Sequence, residues 1–565
     1  MKRLFTLLLI SALSTGLMTG CGQTLADVGT DSFYESREQS RENAPSSSEA
    51  EENQEVLTSY TVPANAFRIQ LSDTGCTLDD QPLSTEPDSR VYAANDIVFY
   101  EEGQGFTYGE GTAADEHSRA EADTHTVIHI TQPGDYAIEG KLSAGQIAVD
   151  LGDGAKEDPE AVVNLYLNGL DITCSVAPGV IFYNVYECGS TDTETATYKV
   201  DTKDAGANVF ICDDTVNTVN GSYVARIYKS YELNEEGTEV IDNKKLHKYD
   251  GAFYSKRSIN IYGGNGTLNI NAENEGLDSE LHLTVNGGNI NIVSGNDGIN
   301  TNEDEVSVTT VNGGNLNILV SGTTGEGDGI DSNGWLVING GTVTAAACGH
   351  SGDAGIDSDM GIHVNGGTLM ASGNMYDRLE KDSKNYAVFS FASRQKGGTT
   401  YTFKNDKEQI VYEWTPANDH IYLVVADPKL TEGIYTLWCG NEQMTAVTDG
   451  GTGGFSGGHP PMDGDFDPDN MPEGMTPPDF EKPSRPEGSD DENRPRPEDF
   501  EKGKGPHPES FDDENKLPPE GFEGGKGPRP EAFGNFGDTN ETSTDFVIQK
   551  GGNFFNRITK VSTDI

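Results

Sequence analysis

From Phe67 onward the chain is dominated by short runs in which apolar and polar residues alternate, as in TVIHITQPGDYAIEG, QIAVDL and AVVNLYLNGLDI, with Gly, Pro or Asn at their ends. A period of two puts successive side chains on opposite faces of a strand, and the punctuating residues supply turns. Long patterns with a helical period are missing, so the chain is expected to be all-β with many short strands. Between Asp250 and Asn374 the alternation becomes a repeat. Asn-Gly-Gly turns begin at Asn286, Asn312, Asn339 and Asn365, spaced by 26, 27 and 26 residues. Val285, Val311, Ile338 and Val364 precede them, and the pairs Ile290/Ile292, Leu316/Ile318, Val343/Ala345 and Leu369/Ala371 follow. A period in the twenties with two or three strands per unit is the signature of a β-solenoid, in which these apolar residues stack as rungs of a narrow core. Asn and Gly accept the positive φ that a sharp turn needs, and stacked Asn amides bond to one another, so the NGG residues are structural.

A second recurring element is acidic. Aligned on glycine, EGLD, DGIN, DGID and AGID begin at residues 275, 297, 328 and 354, and Asp250-Gly251 starts a possible earlier member. Equivalent positions of successive repeats lie about 4.8 Å apart along a solenoid. Glu275, Asp297 and Asp328 therefore form one column, and Asp278, Asn300, Asp331 and Asp357 another. Like charges so close repel unless water screens them, protons neutralise them or a cation sits between them. Ca²⁺ takes 6–8 oxygen ligands at about 2.3–2.6 Å, which carboxylates and turn carbonyls supply. Glu303, Asp304, Glu305, Glu326, Asp353 and Asp359 add acidity nearby. On residue types alone two readings stay open, a Ca²⁺ site and a solvated acidic face built of turn-forming aspartates.

The ends of the chain change the picture. It opens MKRLFTLLLISALSTGLMTGC, a signal peptide whose last residues resemble the lipobox of bacterial lipoproteins, with Cys21 as the lipidated residue. The apolar stretch is too short for a stable membrane span. The expected organisation is a signal peptide at 1–20, a Ser- and Glu-rich flexible tether at 21–60, a β-helix at 61–375 and a β-rich segment at 376–448 completed by 541–565. Between them, 449–540 is acidic and rich in Gly and Pro, with Phe500, Phe511, Phe522 and Phe533 recurring every 11 residues. It holds too little apolar surface to offset its ordering entropy and is expected to be disordered. Within it DGDFDPDN starts like an EF-hand loop but has Pro468 where Gly is needed.

The net charge of −55 over 565 residues excludes nucleic acid and anionic membrane as simple electrostatic partners. Six cysteines besides Cys21 stand in no metal-like spacing, and no pairing follows from them. His350 beside Asp353 is open to an acid or base role, but it reads first as a turn histidine. The clearest basic patch is tyrosine-rich and comprises Tyr223, Arg226, Tyr228, Lys229, Lys244, Lys245 and Lys248. Tyrosine faces stack on sugar rings and cations attract carboxylates, so these residues are a candidate ligand surface, although an ordinary strand-rich insertion also contains Tyr.

Taken in order, ITQPGDYAIEG, QIAVDL, VNLYLNGLDITC, TVNTVNG, SINIYGGNGTLNIN, NDGIN, GDGID and the repeated NGG resemble the bacterial carbohydrate-binding domain family founded on a polygalacturonate-binding parallel β-helix protein. The resemblance runs from about Thr126 to Asn374. It implies a right-handed parallel β-helix, Ca²⁺ in the acidic turns and binding of acidic plant polysaccharide without catalysis. By motif, the implied Ca²⁺ ligands are Glu275, Asp278, Asp297, Asn300, Asp328, Asp331 and Asp357. The chain departs from the pattern at Ala354, in the insertion around residues 223–249 and in the acidic insert. The expected protein is a lipid-anchored, cell-surface receptor for acidic polysaccharide. The alternatives are a surface adhesin or scaffold, or a pectin-active enzyme on the same fold. A lyase would need a Lys or Arg base near the metal, and residues 258–376 contain neither. A hydrolase needs paired carboxylates, which the repeats do supply.

Overall fold

The computed structural model describes residues 59–447, apart from 235 and 246–248, together with 542–561. Cys21, most of the tether and the acidic insert lie outside the described residues. All described residues belong to one unit, Leu57–Ile565. The fold is all-β with large sheets and almost no helix. The strands form sheets of 26, 8 and two strands, and the described helices are Arg119–Ala122 and the 3₁₀ turn Ala155–Glu157.

Three ladders of parallel strands organise the region before Asn374. The first runs through Val163–Thr173, Ala207–Ile211, Ile259–Gly263, Leu283–Val285, Val308–Val311, Trp335–Ile338 and Gly361–Val364. The second continues from the far half of Val163–Thr173 through Val216–Gly221, Thr267–Ala272, Asn289–Ser294, Asn315–Val320, Thr342–Ala346 and Thr368–Gly373. The third comprises Thr126–Ile130, Gly145–Asp150, Val180–Asn184, Gly251–Ser255, Glu275–Ser279, Ile299–Thr301 and Ile330–Ser332.

Period-two alternation sends one set of side chains from each ladder into a shared core. Ile290, Leu316, Val343 and Leu369 are in register, as are Ile292, Ile318, Ala345 and Ala371, and all are at most 3% exposed. Leu277, Ile299 and Ile330 meet them from the third ladder in the same cluster. Each such aliphatic side chain contributes about 1.5–3 kcal/mol by leaving water. The turn between the first two ladders is the NGG element. Its second glycine has φ of +95°, +84°, +77° and +74° at Gly288, Gly314, Gly341 and Gly367, a region closed to most side chains. Its asparagines form an amide ladder, Asn312 Nδ2 to Asn286 Oδ1, Asn339 to Asn312 and Asn365 to Asn339, each 2.9 Å.

Parallel stacking ends at Thr368–Gly373, which pairs antiparallel with His420–Ala426. That strand also pairs with Tyr386–Gln395, whose other edge is covered by Gly552–Lys560 in parallel. Gly433–Cys439 receives Phe546–Ile548 in antiparallel pairing. A second core of Phe389, Phe403, Trp414 and Phe546 lies between these strands. The antiparallel cover removes an open parallel edge on which another chain could add. The six described cysteines are unpaired. Among the described residues no helix is long and apolar enough to cross a membrane.

Candidate functional site

The third ladder positions the acidic turns. Its register pairs Asp278 with Asn300 and Asn300 with Asp331, and Tyr254 precedes them in the same row. Asp357 follows, its N–H donating to Ile330 O at 2.8 Å. The other column is drawn together by backbone bonds: Glu275 N to Asp250 O, Gly276 N to Asp297 O, Gly298 N to Asp328 O and Gly329 N to Ala354 O, at 2.9–3.2 Å. The alternation that buries Leu277, Ile299 and Ile330 turns the neighbouring Asp and Asn side chains away from the aliphatic core.

Glycine beside each acid lets the repeats close up. A Cβ on Gly276 would lie 2.5 Å from Gly298 O, and one on Gly298 would lie 2.5 Å from Gly329 O. The carboxylates are thus held at strand spacing with no side chain between them.

Two groups of polar residues result. In the earlier repeats, Glu275 and Asp278 are buried, at 6% and 0% exposure. Asn300 Nδ2 donates to Glu275 Oε1 at 3.0 Å, and Asn302 Nδ2 donates to Asp278 Oδ1 at 2.5 Å. Asn300 Oδ1 is buried and accepts no hydrogen bond among the described residues. Asn302 is a member that the motif alignment passes over; its signal is the polar run TNED directly after DGIN.

In the later repeats, Asp297, Asp328, Asp331 and Asp357 are half-buried and face one another. Asp297 Oδ1 accepts from Asp328 N at 2.7 Å, and Asp328 Oδ1 accepts from Ala354 N at 2.6 Å. The remaining repulsion is large. Burial pushes the Asp297 carboxyl up to about 7, with Asp353, Glu326 and Asp357 adding to the rise. Asp331 is likewise pushed to about 7 by burial and then by Asp297, Asp357 and Asp359. Asp328 is raised well above the usual carboxylate range by burial and then by the charge of Asp297. Asp353 is held by Gly327 N at 2.6 Å and by the Ser351 hydroxyl.

The donor set is all oxygen and hard, with carboxylates short of compensating charge, and it suits Ca²⁺ better than a thiophilic metal. Among the described residues, no three His, Cys, Asp or Glu side chains already converge as a finished metal cage.

The basic patch is placed elsewhere. Tyr228–Leu233 and Val240–Lys245 form an antiparallel hairpin that carries Tyr228, with Lys229 and Lys244 exposed. Tyr223 and Arg226, just before it, are already engaged. The Tyr223 hydroxyl donates to Asp115, and Arg226 lies 3.7 Å from Glu110 and 3.6 Å from Asp250. The Lys245 side chain, Lys248 and the proposed lipidation site Cys21 fall outside the described residues.

A family model described as carbohydrate-binding domain-containing protein matches residues 124–387, which span all of the acidic turns. No curated protein matches the chain. Among solved structures, the chain is similar to a polysaccharide lyase-like protein from C. thermocellum, studied as a gadolinium derivative. The identity is 18% and the TM-score 0.28, over 54% of this chain and 92% of that one. At that score the likeness carries no structural argument.

Proposed function

We propose that this chain binds acidic polysaccharide of the polygalacturonate class without cleaving it, and that it holds Ca²⁺ in the acidic turns of a right-handed parallel β-helix. The carrying observation is the later acidic group, where three aspartates are raised by burial and mutual repulsion in a stretch, 258–376, that contains no Lys or Arg. The match to a carbohydrate-binding domain supports the ligand class. The three parallel ladders, in register over repeats of 26 or 27 residues along their NGG turns, support the winding.

Asp297, Asp328, Asp331 and Asp357 would hold one cation, and Glu275, Asp278 and Asn300 are the candidates for a second. Bound Ca²⁺ supplies charge neutralisation and a bridge to sugar carboxylates. The chain's own residues orient the carboxylates through backbone N–H donors and fix their spacing through the neighbouring glycines. The missing Lys and Arg deny a lyase its base. Aspartates raised to about 7 are what a hydrolase acid would require, which keeps glycoside hydrolysis as the second reading. We place the protein at the bacterial cell surface, tethered through lipidated Cys21, on the strength of its N-terminal sequence.

The test is calorimetric titration of the full chain with Ca²⁺, followed by retention on immobilised polygalacturonate with and without EDTA. Saturable Ca²⁺ binding and EDTA-sensitive retention are expected. Equal retention in excess EDTA sinks the calcium dependence, and release of reducing or unsaturated ends from pectin sinks the non-catalytic reading.

A further inference from the structure

The outer face of the first ladder carries a groove lined by aromatic rings, asparagine amides, Lys199 and Lys203, with Asp201 and Asp204 beside the lysines. Tyr166, Phe210 and Tyr262 are in register there, and their rings stack at 4.7 Å and 4.8 Å with interplanar angles of 12° and 11°. In the next repeat the row passes to Asn286, whose N–H donates to Ile261 O, and then to Asn312, Asn339 and Asn365. Asparagine is shorter than tyrosine. The aromatic stack therefore ends at Tyr262 with a step down onto the amide ladder.

The chain between 186 and 205 passes over this step. Thr202 Oγ1 bonds both Asn260 Oδ1 and Thr284 Oγ1 at 2.7 Å, and Asn260 Nδ2 returns a 2.7 Å bond to Thr202 O. Further along the ladder the Tyr198 ring stacks on His363 at 4.0 Å and 16°. The strap is thus pinned across several repeats. Beneath it lies a cavity of about 470 Å³, bordered by Tyr262, Tyr198, the amide ladder, Lys199 and Lys203. A neighbouring cavity of about 550 Å³ continues past Lys203 along Phe210 and Tyr262. Each is within the size range of small-ligand sites.

These groups match one chemistry. An aromatic ring packs against the C–H face of a pyranose, and amides at about 4.8 Å intervals offer donors and acceptors to successive hydroxyls of an extended glycan. Lys199 and Lys203 are exposed in a chain of net charge −55. Lys203 makes an exposed pair with Asp201 at 3.3 Å and feels the nearby charge of Asp204, and a ligand carboxylate can replace the exposed pair at little cost.

We propose that this groove is the subsite for the uronate units of a polysaccharide, with Tyr262 as platform, the Asn286–Asn365 amides contacting hydroxyls and Lys199 and Lys203 pairing with sugar carboxylates. The proposal rests on the reading of the protein as a binder of acidic polysaccharide. It goes further in assigning a contact that needs no bridging cation, because the groove lies on the 26-stranded sheet and the acidic columns on the 8-stranded one.

The experiment is calorimetry of the full chain in Ca²⁺-containing buffer, titrated with oligogalacturonate and, as neutral probe, a cello-oligosaccharide. The Lys199→Ala/Lys203→Ala variant is expected to lose about tenfold or more in oligogalacturonate affinity, the size of a lost charge-assisted contact. Its melting temperature should move little, since both side chains are exposed, although Lys199 gives up its place 5.1 Å over the Tyr198 ring. Tyr262→Ala is expected to weaken binding as well. Wild-type affinity in both variants overturns the groove while leaving the acidic-polysaccharide reading intact. A wild-type chain that binds no oligogalacturonate overturns that reading and the uronate assignment together. Loss in Tyr262→Ala alone, with cello-oligosaccharide bound as tightly as oligogalacturonate, overturns the role of the lysines.

Discussion

Asp331 and Asp297 show how position in a repeat becomes chemistry. Each has an ordinary carboxyl value of 3.8 and is raised to about 7 once burial and its neighbours act. The folded chain therefore holds protons that an unfolded chain releases. In the metal-free protein this stabilisation is fully present below the unfolded value and is lost as pH rises from about 4 through about 7. Thermal melting in EDTA should show that decline, and a flat profile would contradict the cluster. On the proposed reading Ca²⁺ would compete for the same oxygens, so its affinity should rise with pH through about 7 and its binding should release protons. Titration in buffers of differing ionisation enthalpy reads this directly. Asp331→Asn removes one repelling charge without changing shape. Above about pH 7 it is expected to raise the metal-free melting temperature while weakening Ca²⁺ about tenfold, the loss of one charged ligand. A variant that lowers both would mark Asp331 as a structural residue instead.

At the scale of the element, the repeat unit depends on two kinds of position. Ile292 stacks between Ile270 and Ile318 with 1% of its surface exposed, so Ile292→Ala should cost about 2–5 kcal/mol in urea denaturation. Gly298 has no such volume to lose, yet Gly298→Ala would drive a Cβ into Ile318 and to 2.5 Å from Gly329 O. It should destabilise the fold and weaken Ca²⁺ together, because it wedges apart the repeats that carry Asp297 and Asp328. An alanine there with wild-type melting and wild-type Ca²⁺ affinity would remove close approach as the reason for that glycine.

For the whole molecule, the strands at 542–560 matter out of proportion to their length. Gly552–Lys560 covers Tyr386–Gln395, and Phe546 is fully buried against Phe389 and Phe403. A chain ending before residue 541 should expose that second core to protease, while the parallel ladders, whose own core loses the packing of Phe554 but keeps its aliphatic rungs, stay more resistant. Limited proteolysis with fragment mapping distinguishes this from a collapse of the entire fold.

Much of this was legible in the chain because it is periodic. NGG turns and aliphatic rungs recur every 26 or 27 residues and the acidic columns every 22 to 31, and a repeat fixes which residues are neighbours even when they are far apart in sequence. The aromatic row had no such signal. Its members at 166, 210 and 262 are unevenly spaced because insertions of different length separate their strands, so only the pairing of those strands brings the rings together. The same holds for the strap that carries Lys199 and Lys203, which lies outside the repeat and carries no periodic signal. The raised aspartates lie between the two cases. Sequence by itself determined that like charges would stack, whereas the degree of burial that raises their carboxyls to about 7 is a property of packing, decided only when the repeats close on one another.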